Sequence, residues 1–221
     1  MDIVEITGLK KYFNEGPRLV KALDGVDLTI EKGRFTAIVG ASGSGKTTLL
    51  NCMAGLYQPT EGRVCVDGID LATMDEDRLT VFRRRRIGFV FQEANLVPEL
   101  TVRENILFPL ALDDRRPDPD YFESLTQFLG LARHLDAKPH TLSGGAQQCV
   151  AIARALITKP QIVLADEPTG SFDMKTTNNV AGLLKASAAT FHQTLVVITH
   201  NTELAQIADR VVRLADGRIV R

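Results

Sequence analysis

Long apolar runs, a charge surplus and a paired set of cysteines are all missing from this chain, and each absence removes a class of protein. No apolar stretch approaches the ~18–20 residues needed to cross a bilayer, so direct membrane insertion is not expected. Lys and Arg number 26 against 27 for Asp and Glu, a net charge of −1. That balance offers no global attraction for nucleic acid or anionic lipid. Cys52, Cys65 and Cys149 are an odd set without metal-like spacing, which points to free thiols in a reducing cytosol. The opening Met1-Asp2-Ile3-Val4-Glu5 has neither the basic start nor the apolar core of a secretion signal. Internal repeats and sustained heptads are lacking too. What is present is an ordinary globular composition, 44% apolar and 24% charged over 221 residues. That is enough for one large domain, or for a domain with an inserted lobe.

Strands are predicted at residues 3–7, 26–30, 35–39, 63–66, 87–91, 162–165, 195–199 and 210–214. Inner ones such as 162–165 and 195–199 are nearly continuous apolar runs, the pattern of strands buried on both faces of an α/β layer. Ala215-Asp216-Gly217-Arg218 has the composition of a hairpin turn leading into Ile219-Val220. Helical patterns follow Lys46, occupy about 121–129 and 146–157, and resume near 175–188. From about 92 to 160 the signals are mostly helical, broken by the polar loop Asp113-Asp114-Arg115-Arg116-Pro117-Asp118-Pro119-Asp120. A helical lobe inserted into an α/β core is the expectation.

Three constellations carry chemistry. Gly40-Ala41-Ser42-Gly43-Ser44-Gly45-Lys46-Thr47 fits the full phosphate-loop pattern, after a predicted strand and before a predicted helix. Its glycines let backbone N–H groups turn inward, and the helix start adds roughly half a positive charge. Lys46 is placed to reach the β- and γ-phosphates of ATP, the Thr47 hydroxyl to ligate Mg²⁺, and Thr48 completes the candidate ATP site. The bland alternative is a small-residue turn that binds nothing. The second constellation is Ile162-Val163-Leu164-Ala165-Asp166-Glu167, a buried strand ending in two carboxylates at the crevice end of an open sheet. Asp166 is the candidate Mg²⁺ holder, directly or through water, and Glu167 the candidate base for an attacking water. Alone, such an acidic pair is as often merely solvated. Third, Leu142-Ser143-Gly144-Gly145 opens the helix 146–157, and two glycines beside a Ser cap make a second anion site without a lysine. Taken alone, a plain helix cap is the favoured reading there.

Leu142 to Gly145 followed by Gln147-Gln148, about twenty residues before Asp166-Glu167, resembles the signature motif of ABC ATPases, and the resemblance covers essentially the whole chain. It implies a P-loop ATPase core with an antiparallel β subdomain and an inserted α-helical subdomain. In that scheme 1–221 is one ABC ATPase domain, with 1–91 and 161–221 forming the RecA-like core and β subdomain, and 92–160 the helical signature lobe. It further implies that Gln92 is the Q-loop residue, catalytic and a Mg²⁺ ligand, that His200 is the switch histidine, and that Tyr12 stacks on adenine. Asp173, in Ser171-Phe172-Asp173, matches the D-loop residue that couples two subunits, while Ser143, Gly144 and Gly145 act in trans. Arg86-Ile87-Gly88-Phe89-Val90-Phe91-Gln92, Leu100-Thr101-Val102-Arg103-Glu104-Asn105-Ile106 and Ala165-Asp166-Glu167-Pro168-Thr169-Gly170 resemble the branch serving lipoprotein release, macrolide and antimicrobial-peptide export. The implied partners are a separate transmembrane permease and a second copy in an ATP-dependent head-to-tail homodimer. The implied location is cytoplasmic, peripheral on the inner face of the cell membrane.

The chain departs from the family pattern at Ala146, where Gln or Glu is usual, at Cys149, where Arg is usual, and at Ser171 and Phe172, where Asn and Leu are common. The run Arg83-Arg84-Arg85-Arg86 lacks interleaved aromatics, so a solvated helix face is expected rather than nucleic-acid contact. A regulatory cassette that gates an extracytoplasmic enzyme would use the same motor and is the alternative. DNA-repair and chromosome-maintenance relatives carry a long coiled-coil insertion that is absent here, translation-associated ones usually join two cassettes, and a generic P-loop kinase leaves the second glycine-capped helix unexplained.

Overall fold

The computed structural model describes residues 1–15, 18–170 and 174–220. In chain order its elements begin with β1 (Asp2–Glu15), β2 (Arg18–Glu31), β3 (Phe35–Val39), α1 (Lys46–Met53), β4 (Glu61–Val66), β5 (Ile69–Asp70), α2 (Glu76–Arg86) and β6 (Ile87–Val90). They continue with α3 (Val102–Ala111), α4 (Pro119–Phe128), α5 (Gly144–Leu156), β7 (Ile162–Asp166), α6 (Met174–Thr190), β8 (Thr194–Ile198), α7 (Thr202–Gln206), β9 (Arg210–Ala215) and β10 (Arg218–Val220).

Two sheets share the work. The antiparallel one has the order β2-β1-β4-β5, and the second runs β10-β9-β3-β8-β7-β6. In the second sheet every neighbouring pair from β9 to β6 is parallel, and only β10 returns antiparallel. The apolar runs are buried on both faces, as their composition requires. Ile162, Leu164, Val196 and Ile198 join a core with α1 and the antiparallel sheet, while Val163, Ala165, Leu195 and Val197 join another under α3 to α6. Each of the Ile, Leu and Val side chains contributes about 1.5–3 kcal/mol by leaving water.

The long ribbon of β1 and β2 exceeds its predicted strands, 3–7 and 26–30. The inner part buries Ile3, Val4, Ile6, Val26, Leu28 and Ile30, and beyond it Leu9 and Leu23 are buried as well. Farther out, residues such as Asn14, Leu19, Val20 and Lys21 are exposed, so the strands continue by backbone pairing without an apolar alternation to announce it. Helix α7, five residues capped by the Asn201 side chain, is too short to show a helical period. The predicted turn after β9 is present: Asp216 and Gly217 have φ of +46° and +72°, the left-handed pair that a two-residue hairpin needs.

Between β6 and β7 the described residues form helices and loops, with no strand. Thr101 and Glu104 make a reciprocal capping box on α3, and the Asp118 side chain caps α4 with Pro119 in its first turn. These helices bury Ile106, Leu125 and Ile152 in the same cluster as Val163 and Val197 of the sheet. The arginine run is solvated only in part: Arg85 and Arg86 are exposed, as expected, while Arg83 and Arg84 are half-buried. Arg83 donates to Gly55 O and Glu76 Oε1, Arg84 and Arg85 both pair with Asp113, and Arg86 pairs with Asp67.

All three cysteines are free and buried. Burial pushes the thiols of Cys52 and Cys149 up to about 11, so thiolate is scarce at neutral pH. Ellman's reagent is expected to leave all three unmodified for minutes at pH 7.5 and to titrate all three after unfolding in guanidinium. Rapid reaction of any thiol in the native chain would contradict this packing.

Candidate functional site

The phosphate loop sits where β3 ends in the middle of the parallel sheet. Gly40 is pressed against β9 so closely that a Cβ there would lie 2.1 Å from Leu214 O, which explains a glycine at that position. Gly43 and Gly45 have φ of +77° and +100°. Gly45 opens α1 in the left-handed conformation with no side-chain cap, so the first N–H groups of the helix remain for an external anion. Ala41, Ser42 and Gly43 are exposed, and Thr48 is half-buried on the first turn of α1. Lys46, 7% exposed, donates from Nζ to Gly40 O (2.9 Å) and Ala41 O (2.8 Å), which holds its charge in the cup of the loop. From the other side the β9–β10 turn braces the loop, with Gly217 N donating to Ser44 O at 3.0 Å.

Across from the loop, β7 delivers the two carboxylates. Thr47 Oγ1 donates to Asp166 Oδ1 at 3.3 Å, bridging the loop and the strand end. Burial raises the Asp166 pKa above the usual range, partly opposed by the Thr47 hydrogen bond and the Lys46 charge. The described residues hold no cluster of three or more His, Cys, Asp or Glu able to bind a metal. A desolvated carboxylate beside a hydroxyl is nevertheless a hard-oxygen pair suited to Mg²⁺, which keeps several waters and takes further oxygens from phosphates. Glu167 follows with φ +44°, a left-handed backbone uncommon for a residue with a side chain. Its N–H donates to Ile198 O and its carbonyl accepts from Gly170 N. The turn sets Glu167 Oε2 2.9 Å from His200 Nδ1. Gly170 lies between two side chains: a Cβ there would meet Gln92 Nε2 at 3.0 Å and Glu167 Oε2 at 3.2 Å. Gln92, Glu167 and His200 therefore converge, although they come from three different strand ends.

Tyr12 reaches the loop indirectly. Its hydroxyl donates to Asp24 Oδ1 at 2.5 Å, and Asp24 N donates to Gly217 O, the residue that braces Ser44. Strand alternation puts Phe13 on the opposite side, where it meets Tyr57 edge to face. Ser143, Gly144 and Gly145 lie elsewhere. Ser143 Oγ accepts from Ala146 N at 3.3 Å, Gln147 Nε2 bonds Pro139 O and Leu142 O, and a Cβ on Gly145 would meet Thr176 Cγ2 at 2.8 Å. None of those neighbours borders the phosphate loop. Asp173 lies outside the described residues.

One connection escaped the reading of motifs. Gln148 Nε2 donates to Phe91 O (2.8 Å), and Arg154 donates to Ala94 O (2.7 Å) and Asn95 O (2.8 Å), so α5 grips the segment that starts at Gln92. Polar Gln148 and charged Arg154 amid the apolar residues of α5 are the sequence signals of this grip.

A phosphate loop, a strand-end carboxylate pair and a glycine-flanked capped helix in one chain are joined by a profile match: the ABC transporter family fits residues 23–170. The chain belongs to that family. As an ABC cassette it binds and hydrolyses ATP, and its fold is the α/β P-loop ATPase core with an antiparallel sheet and helices between β6 and β7. The cassette is 46% identical over 220 residues to the lipoprotein-releasing system ATP-binding protein LolD of Anaeromyxobacter dehalogenans, covering 98% of this chain and 92% of that one. It is 44% identical to the macrolide export ATP-binding/permease protein MacB 1 of Aeromonas hydrophila, but spans only 34% of that protein while 99% of this chain is covered. Among solved structures it resembles a dimeric post-hydrolysis state of the ATP-binding cassette MJ0796 bound to ADP and Pi, with TM-score 0.88 and 41% identity over 99% of this chain and 97% of that one. A protein of that name from Methanocaldococcus jannaschii is 41% identical over 225 residues.

Proposed function

We propose that this cassette powers a separate membrane permease by closing and opening as an ATP-bound head-to-tail dimer. The observation that carries the reading is the separation of two anion sites within one chain. The phosphate loop is bordered by Leu214 and Gly217, whereas the signature is bordered by Pro139, Leu142 and Thr176. A two-fold axis brings each signature onto the other chain's nucleotide, and a relative is described as dimeric with ADP and Pi bound.

In this reading the N–H groups of residues 43–48 and Lys46 hold the β- and γ-phosphates, and Tyr12 supports the adenine ring. Thr47, Asp166 and Gln92 would hold Mg²⁺, which would supply positive charge against the phosphate oxygens. Glu167 accepts a proton from the water that attacks the γ-phosphorus, while His200, bonded to Glu167, fixes the carboxylate and faces the same phosphate. The bond from γ-phosphorus to the ADP oxygen breaks, and the partner's signature loses the charge that bound it. ATP thus favours the closed state and hydrolysis releases it. Asp173 couples the two sites. The lobe 92–160 moves against the core formed by 1–91 and 161–221, and a groove of about 520 Å³ lined by Gln92, Asn95, Leu96, Pro139 and Gln147 receives a permease helix. No helix among the described residues is long and apolar enough to cross a membrane. In this reading the cassette sits at the inner face of the cell membrane, docked on the permease.

Release and export in the names of the relatives favour transport over gating an external enzyme. Analytical ultracentrifugation of the Glu167→Gln chain with saturating ATP and Mg²⁺ is expected to show a dimer. A monomer, both alone and beside its permease, defeats the reading.

A further inference from the structure

The arginine run is the sequence motif that nucleotide chemistry leaves idle, and two of its members share a shielded acceptor. Asp113 closes the turn after α3, its N–H bonded to Leu110 O. Its side chain is only 2% exposed, pairing with Arg84 Nη2 and, at 2.5 Å, with Arg85 Nε. The Arg85 hydrogen bond holds the Asp113 carboxyl below the usual carboxylate range. Arg84 and Arg85 belong to the last turn of α2, which leads directly into β6. The cluster therefore ties the root of β6 to the far end of α3.

The near end of α3 carries the loop that begins at Gln92. Asn105, fully buried, accepts from Val97 N (2.8 Å) and donates to Val97 O (3.0 Å), Leu100 O (3.2 Å) and Thr101 O (3.0 Å). With α5 gripping Phe91, Ala94 and Asn95 through Gln148 and Arg154, segment 92–100 is strapped on two sides. Helix α3 is thus a strut, pinned to the core at one end and holding this segment at the other.

We propose that Asp113, held between Arg84 and Arg85, is a positioning residue that anchors α3 and so sets where the Gln92 segment rests relative to the phosphate loop. This rests on the reading of Gln92 as a group that faces the nucleotide. Asp113 is the shielded member of the cluster, whereas Arg84 and Arg85 keep 23% and 51% of their side-chain surface, so replacing Asp113 removes the one charged acceptor on which both arginines converge.

The test uses spin labels at Lys32→Cys on the core and Glu99→Cys on the strapped segment, both at exposed positions, while the native thiols are buried. Without nucleotide, pulsed EPR is expected to give a narrow distance distribution in the labelled parent and a broadened or displaced one with Asp113→Asn. In unlabelled chains kcat for ATP is expected to fall about 3- to 10-fold in Asp113→Asn with KM within about twofold, and Asp113→Glu is expected to restore both readouts. If Asp113→Asn does not fold, Arg85→Gln, which leaves Arg84 in place, is read the same way. Either readout unchanged in a folded variant overturns the proposal and leaves an ion cluster that serves stability alone. Should the parent fail to bind ATP in a fluorescence titration, the nucleotide reading falls, and the nucleotide-free EPR comparison by itself decides whether Asp113 anchors the segment.

Discussion

Replacing Glu167 by Gln is expected to lower ATP turnover by about 10²–10⁴-fold while leaving ATP affinity within about twofold. The two side chains have the same shape, so the contact with His200 Nδ1, 2.9 Å in the parent, persists as a hydrogen bond. What disappears is the ability to accept a proton from water. Binding is spared because the groups that grip phosphate belong to the loop and α1, and Glu167 touches neither: its backbone bonds go to Ile198 and Gly170. The left-handed turn at this position is a backbone feature that Gln adopts as readily as Glu. Steady-state phosphate release against a titration with a fluorescent ATP analogue separates the two effects. Turnover equal to the parent's would remove Glu167 from the role of base.

A second large effect is expected from Lys46→Ala, which should weaken ATP binding by about 10²-fold or more. Lys46 is nearly buried and its ammonium occupies the cup of the loop, held by the Gly40 and Ala41 carbonyls. The carbonyls it bonds, Gly40 and Ala41, lie on a loop partly open to water, which replaces the lost donor once the lysine is gone. The fold therefore survives and the loss falls on nucleotide. The same fluorescence titration checks it, with the thermal midpoint as control. Tight binding retained by a folded variant would argue against the phosphate-loop assignment.

Much of this site is legible in the chain because its parts are local. A phosphate loop needs a strand, a few glycines at left-handed positions and a bare helix start, all within contiguous residues. Asp166 and Glu167 show themselves by following a wholly apolar strand. The departure at Ala146 proves harmless to the helix cap for a reason that only geometry supplies: Ser143 Oγ bonds the backbone N–H of Ala146, not its side chain. At Cys149, where an arginine is usual, the chain buries a neutral thiol in the core beneath the helices. The half-burial of Arg83 and Arg84 was not legible because several acceptors of the run, Gly55, Asp67 and Asp113, lie 19 to 29 residues away, beyond any helical window.

By itself the sequence determined the chemistry, because phosphate-binding loops, helix caps and buried strands depend on neighbouring residues and on periodicities of two and 3.6. Tertiary structure alone decided which strand ends meet. Gln92, Glu167 and His200 converge only because β6, β7 and β8 lie side by side in parallel, an order that follows from packing apolar faces across the sheet and not from any short pattern. The same packing sets Ser143 and Gly145 beside Ala146 and Thr176 rather than at the phosphate loop, the separation that the proposed head-to-tail dimer would bridge.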